Sequence, residues 1–418
     1  MGLAARGRFE KDTWVPDFAR SSGRRPAGGE YERYIPAAIA DAVPPLQADT
    51  AMLSERAGMA VRDLNQRASG LAPLESLGRQ LMRSEALASS WIEGLELSHR
   101  KLAQATIPQL AHHRAIEVLG NLRSLERAIE IGAEAAELKP DHIAEIHREL
   151  ATEGSTLARI AGEFRQEQGW IGGTSPVTAR YVGPPWQLVK TLVKDLCLFM
   201  NRDDLSPVTQ AAMAHAQFEL IHPFGDGNGR VGRCLIHTIL RRRGIAEAYV
   251  PPVSIVLGAN KDAYIAGLDA FQESQIAGWP SEKLDEWISH FARAVEVSAK
   301  QATDFSEKVT ALQEAWRRKI GPMRSDAAVL PIILSLPAHP YITTQIGIEL
   351  TGRTRRAVLD AFERLERAGI LTRHRNRRKG DSWEAKQLFR LLDGFEHAVG
   401  PGQRRIAPGG IEPPTSPL

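Results

Sequence analysis

Residues 222–233 read HPFGDGNGRVGR, and neither a regular helix nor a strand runs through such a stretch. Three glycines alternate with an acid and an amide; a histidine and a proline stand in front, and two arginines follow. The segment before it, VTQAAMAHAQFELI, has the apolar spacing of an amphipathic helix. Arg230 and Arg233 then open another run of helical character. The chain therefore makes a tight, glycine-built turn between two helices, and whatever it binds is met by that turn.

Three chemistries fail on this context. Gly227, Gly229 and Gly232 match GxGxxG, but the dinucleotide fingerprint needs a strand in front, and here a helix leads in. Asp226-Gly-Asn228-Gly opens like a calcium loop, yet Val231 and Arg233 stand where later acidic ligands belong. His215 and His222 are seven residues apart, about 10 Å along a helix, too far to share one zinc ion. A phosphate site remains. Glycine-rich backbone forms an anion nest, and a helix starting near Gly229 adds its N-terminal dipole. Arg230 and Arg233, three apart, share a helix face and suit two different phosphates. Asp226 offers a hard oxygen to Mg²⁺, and His222 is a candidate general base.

This stretch resembles the Fic-family motif HxFx(D/E)GNGRxxR at every defined position. The resemblance implies a mostly α fold, a helical bundle with a β-hairpin flap, and transfer of AMP from ATP to a protein Ser, Thr or Tyr hydroxyl. It implies His222 as the base, Asp226 as the Mg²⁺ ligand and Gly227, Asn228 and Gly229 as the phosphate cradle. Arg230 and Arg233 would take the outer phosphates, with Val231 and Gly232 between them in the nucleotide-binding segment. GWIGGTSPVTARYVGPP (169–185) is similar to the family flap, which places Gly173, Thr174, Ser175 and Tyr181 at a target-docking edge. SSWIEG (89–94) resembles the inhibitory pattern (S/T)xxxE(G/N), so Ser89, Glu93 and Gly94 would hold a carboxylate against Arg233 where a phosphate oxygen belongs. The plainer reading of that segment is a helix end capped by Gly94. NKDAYIAGL resembles a segment carrying paired tyrosines; only Tyr264 is present, which marks it for the nucleotide base and leaves UTP beside ATP as a substrate. Removal of AMP by the same site is an alternative direction.

Around this centre the chain sorts into regions: a flexible segment at 1–30, an extended and helical region at 31–115 and a core at 116–318. A second module follows at 326–398, then a Pro/Gly-rich disordered tail at 399–418. With 418 residues, more than one domain is expected. In the second module, PYITTQIGIEL, TGR and TRRAVLDAFERLERAG read as helix, turn, helix, with Val358, Phe362 and Leu365 on one face. A basic hairpin follows, which together makes a winged helix. Between Arg353 and Lys379 ten Lys/Arg face three acids, a local charge of +7 inside a chain of net +3. That concentration makes DNA a candidate partner, and a DNA-binding regulator that merely senses nucleotide is the alternative function. A homodimer is a further candidate. Two cysteines, Cys197 and Cys234, fit core positions and a reducing cytoplasm. AAVLPIILSLPA is too short and proline-broken to span a membrane, and the N-terminus lacks the apolar segment of a signal peptide.

Overall fold

The computed structural model describes residues 3–16, 28–68, 74–107, 112–152, 155–322, 328–376 and 380–397; the expected disordered tail at 399–418 lies outside them. The first element corrects an expectation. Arg8–Trp14 forms strand β1, antiparallel to β2 (Gly29–Ile35), in register from Arg8 opposite Ile35 to Trp14 opposite Gly29. Within residues 1–30, the part described is thus paired strand rather than flexible chain. The pairing rests on cross-strand contacts between distant residues: Arg33 reaches Asp12 at 2.6 Å, and Phe9 packs on Tyr34 with ring centroids 5.3 Å apart. A basic, glycine-containing composition hides such pairs.

Helices then dominate: α1 (Ala48–Ala68), α2 (Leu74–Ile92), α3 (His99–Ala105), α4 (His113–Glu134) and α5 (Pro140–Leu150). Strands β3 (Trp170–Ile171) and β4 (Tyr181–Val182) make the short hairpin expected there. Next come α6 (Trp186–Met200), α7 (Pro207–Ile221), α8 (Asn228–Arg242), α9 (Val253–Ala259), α10 (Lys261–Ala277) and α11 (Glu282–Ile320).

Helix α7 is central rather than one-sided. Every residue from Val208 to Ile221 except Glu219 is buried, the pattern of a helix surrounded by others. Four alanines let neighbours approach, and the polar residues inside are satisfied. Gln210 donates to the Phe199 carbonyl at 2.9 Å, and Gln217 donates to that of Ala37 at 2.8 Å. His215 Nε2 lies 2.7 Å from the Tyr264 hydroxyl. Both cysteines are buried and unpaired with one another.

The last module contains α12 (Val329–Ser335), β5 (Tyr341–Thr343), α13 (Thr344–Thr351), α14 (Arg355–Arg367), β6 (Thr372–His374), β7 (Ser382–Glu384) and α15 (Lys386–His397). Its three strands form an antiparallel sheet in the order β5-β7-β6. Helix, turn, helix and hairpin stand where the sequence puts them, and Val358, Phe362 and Leu365 are fully buried. The module is not a free-standing unit. Helix α11, about 58 Å long at 1.5 Å per residue, carries Phe305, Val309 and Trp316 into the same apolar cluster as Ile332, Trp383 and Phe389. Leu77 and Leu81 of α2 join that cluster from the other side. The boundary expected near Asp326 lies outside the described residues, and one apolar cluster joins elements on both sides of it.

Candidate active site

Helix α7 stops at His222, whose N–H still reaches the Phe218 carbonyl at 2.9 Å. His222 has φ 48°, ψ 61°, and among the described residues it is the only non-glycine with positive φ. That left-handed conformation costs an L-residue about 1–2 kcal/mol, so the surroundings must hold it. Arg165 does so: its Nε donates to the His222 carbonyl at 2.8 Å, its NH2 to that of Pro184 at 2.7 Å, and its backbone N–H to that of Pro223 at 2.9 Å. The turn itself is clamped by Asn228, whose side chain accepts from the Phe224 N–H and donates to the Phe224 carbonyl, both at 2.9 Å. Phe224 in turn stacks on His147, centroids 3.8 Å apart. His147 Nδ1 accepts from the Gly162 N–H at 2.9 Å, which leaves the proton on Nε2, 3.0 Å from the Asp226 carbonyl. Gly227 (φ 79°) caps α8, and no side chain adopts that angle without strain. Arg165 and His147 were not singled out from the sequence. Each acts on the loop from a distant segment, and spacing carries no trace of that.

The cavity beside this loop measures about 300 Å³ and is lined by Glu93, Ile171, Tyr181, Glu219, His222, Gly229, Arg233, Lys261 and Tyr264 among others. Burial, followed by the Arg165 charge, pushes His222 down to about 4, so its imidazole is neutral and able to accept a proton near pH 7. Burial raises Glu219 to about 8. Tyr264 is buried with its hydroxyl on His215, so only part of its ring borders the cavity.

Arg233 is 2% exposed, and α2 with the residue after it supplies three acceptors for its guanidinium. Its Nε donates to Ser89 Oγ and its NH2 to the Ser89 carbonyl, both at 2.9 Å, and NH2 meets Glu93 Oε1 at 2.8 Å. Burial works to raise the Glu93 carboxyl, but Arg233, with help from Arg230 and Lys261, outweighs it and holds Glu93 below its usual value. The helix end and the Glu93–Arg233 contact occur together. Gly94, at φ 84°, ends α2, and that ending delivers Glu93 to Arg233. A Cβ on Gly229 would stand 2.2 Å from Glu93 Oε1, so glycine there leaves the room that the carboxylate fills.

The remaining expected residues divide. Arg230 is buried and lies 3.8 Å from Asp226 Oδ1. The Asp226 side chain is 53% exposed, and its Oδ1 accepts the Gly227 N–H at 2.6 Å. Val231 is wholly buried in the core, and Gly232 backs onto Glu219, whose Oε1 would lie 2.4 Å from an added Cβ. Neither presents a side chain to the cavity. In the hairpin, Gly173 turns at φ 69° and the Thr174 N–H bonds Thr178 Oγ1 at 3.2 Å. Ser175 is 1% exposed, and the Tyr181 hydroxyl donates inward to the Leu220 carbonyl. The side chains of Ser175 and Tyr181 therefore brace the hairpin and are not offered to a partner. Gly173 and Thr174 are exposed, and the exposed large apolar residues of that edge are Trp170, Ile171 and Val177.

Residues 137–240 match the profile described as Fic/DOC family, and residues 51–130 match that described as Fic/DOC family N-terminal. Over these two stretches the chain is Fic/DOC family sequence. Protein adenylyltransferase fic-1 of Caenorhabditis elegans is 32% identical over 143 residues, 34% of this chain and 26% of that protein. Probable protein adenylyltransferase aq_aa38 of Aquifex aeolicus (strain VF5) is 27% identical over 209 residues, 49% of this chain and 59% of that one. The chain thus spans from about a quarter to three fifths of the length of these relatives. A Fic family protein from Desulfovibrio desulfuricans G20 shares the fold, with TM-score 0.51 and 19% identity over 82% of this chain and 98% of that one. Among the described residues no helix is long and apolar enough to cross a membrane.

Proposed function

We propose that this chain transfers AMP from ATP to a Ser, Thr or Tyr hydroxyl of a target protein and that Glu93 restrains the reaction. The observation that carries this is one cavity wall holding a neutral His222 and, beside it, Arg233 occupied by Glu93. The target hydroxyl oxygen attacks the α-phosphorus, the bond to the bridging oxygen of the β-phosphate breaks, and pyrophosphate leaves. His222 takes the hydroxyl proton as the new P–O bond forms. Arg233 is the partner for an outer phosphate and becomes available when Glu93 withdraws. Asp226 fits Mg²⁺: it is a half-exposed carboxylate at the mouth of the loop, and no three His/Cys/Asp/Glu side chains cluster among the described residues. An ion there would draw its other oxygens from phosphates and water and neutralise charge on them.

The test is intact mass after incubation with ATP and Mg²⁺, on wild type, Glu93→Gly and Glu93→Gly/His222→Ala. An AMP-sized gain on Glu93→Gly or an added target, absent from the double variant, supports the reading. Equal labelling of wild type and Glu93→Gly would remove the inhibitory role. Release of AMP from an already modified protein would assign the reverse direction, with Glu93 orienting water.

A second reading, DNA contact, is favoured by Arg353, Arg355 and Arg356, which are exposed at the start of α14. Cations there oppose the helix dipole, so folding alone does not explain them. Arg355→Ala/Arg356→Ala is expected to weaken duplex binding and lower the slope of log affinity against log salt by about two. Fluorescence anisotropy at several salt concentrations measures it, and light scattering of the same samples reads the homodimer.

A further inference from the structure

Helices α2 and α8 meet along three rungs, and only one of them borders the cavity. Glu85, Ser89 and Glu93 are four apart and share a face of α2 and its end; His237, Arg233 and Gly229 are four apart on the facing side of α8. Glu93 sits over Gly229 on Arg233, and Ser89 bonds Arg233 through both its hydroxyl and its carbonyl. The third rung is Glu85. Its Oε2 accepts the Ser254 N–H at 2.9 Å, its Oε1 accepts the Ser254 hydroxyl, and His237 Nε2 lies 3.1 Å from that same Oε1. Glu85 is 2% exposed, and His237 and Ser254 are fully buried. Nothing in the proposed chemistry uses them.

A carboxylate this deep is costly unless it is held by donors; both donors come from Ser254 at the start of α9, and His237 of α8 packs against the same oxygen without a hydrogen bond. The rung therefore ties α2 to two elements at once. Glu93 lies two turns further on, at the helix end, with a side chain 40% exposed. A one-residue slip of α2 would turn its face by about 100° and break all three rungs together.

We propose that Glu85 is a positioning residue: seated on Ser254 and His237, it fixes the register of α2 and so keeps Glu93 on Arg233. This rests on the inhibitory reading of Glu93. The full chain is tested as wild type, Glu85→Gln, Ser254→Ala, Glu93→Gly and Glu85→Gln/Glu93→Gly. Two readouts are taken: the rate of AMP incorporation with ATP and Mg²⁺, and hydrogen exchange of the amides at 86–94. Loss of a charge-assisted buried contact is expected to speed exchange at 86–94 and raise AMP incorporation, each about five- to tenfold, in Glu85→Gln. Ser254→Ala, which keeps the carboxylate and the backbone donor, should move both readouts the same way by less. The double variant should transfer no faster than Glu93→Gly, because Glu85 acts only through Glu93. Unchanged exchange in both Glu85→Gln and Ser254→Ala overturns the proposal, as does a double variant well above Glu93→Gly. If Glu93→Gly is itself no faster than wild type, the inhibitory reading fails, and the exchange data still decide whether Glu85 fixes the helix.

Discussion

The loop between α7 and α8 and the β3–β4 hairpin border the same cavity but are built on opposite terms. In the loop, the groups that shape the backbone are held by side-chain hydrogen bonds: Asn228 to Phe224 on both sides, His147 to Asp226, Arg165 to His222. The hairpin has two-residue strands, and its exposed Arg180 meets Asp269 at 2.7 Å, each about half in water, a pairing worth little in that setting. Rigid placement belongs to the loop, where the proposed reaction would have a phosphate and a proton met at fixed positions. An edge that takes part of an extended partner chain has no such need, since backbone bonds form wherever a strand lies alongside. The difference teaches that side-chain identity is constrained on one wall of the cavity and loosely constrained on the other.

The largest effect should come from removing the clamp inside the loop. Asn228→Ala strips two buried backbone groups of Phe224 of their partners, at about 1–3 kcal/mol each. We expect stability to fall by about 3 kcal/mol or more and AMP transfer to be lost even in a Glu93→Gly background, read by denaturant melts and intact mass. Near-wild-type stability would mean that water replaces the amide, and the contrast with the hairpin would weaken. Gly232→Ala comes next. Its Cβ would press on Glu219 and on Phe218 at 3.0 Å, and overpacking of that kind costs about 1–3 kcal/mol.

This contrast also explains what could be read from the sequence. At 222–233 the tight turn between two helices was legible because residue type and spacing mark it, and the base, cradle and arginine roles proposed there rest on the same pattern. Glu93 was legible by pattern, and its placement on Arg233 agrees. The Asn228 side chain has a task that spacing did not reveal: its amide closes the loop on Phe224, and its backbone stands at the head of α8. Arg165, His147 and Glu85 left no signal, since each acts on a residue more than fifty positions away through burial that spacing does not encode. In the hairpin, Ser175 and Tyr181 looked like surface residues because an isolated two-residue strand has no readable inside. The strand at Arg8–Trp14 was hidden for a similar reason, its partner lying beyond a Gly/Pro/Arg-rich stretch.

Acidity tests the buried wall as a whole. Burial first, then neighbouring arginines, holds His222 and His147 near 4 and His215 near 3. Unfolded histidines take up protons near 6.5, so these three lose no stability above that pH and lose it as pH falls from about 6.5 toward 4. Glu219 runs the other way. Raised to about 8 by burial, it keeps a proton that the unfolded chain has released, so its contribution declines as pH rises from about 4.5 through 8. With three groups against one on the acid side, the melting temperature should peak near pH 6.5 and fall by several degrees by pH 5. Glu219→Gln should flatten the alkaline side and steepen the acid side, and a scan of melting temperature from pH 5 to 8.5 measures both.

The smallest effects belong to the hairpin, and they separate two of its exposed residues. Trp170 and Ile171 are each 38% exposed, but only Ile171 borders the cavity. Truncating either should change stability by no more than about 0.5 kcal/mol, as for other surface sites. Ile171→Ala removes apolar area beside the nucleotide, so KM for ATP should rise about two- to fivefold with kcat unchanged, the mark of binding shared equally by ground and transition states. Trp170→Ala should leave KM for ATP alone and raise only that for a protein target. If both variants shift the nucleotide KM together, the hairpin behaves as one rigid wall like the loop opposite it. If neither does, the cavity holds its nucleotide from the α8 side only, and the hairpin serves the partner chain alone.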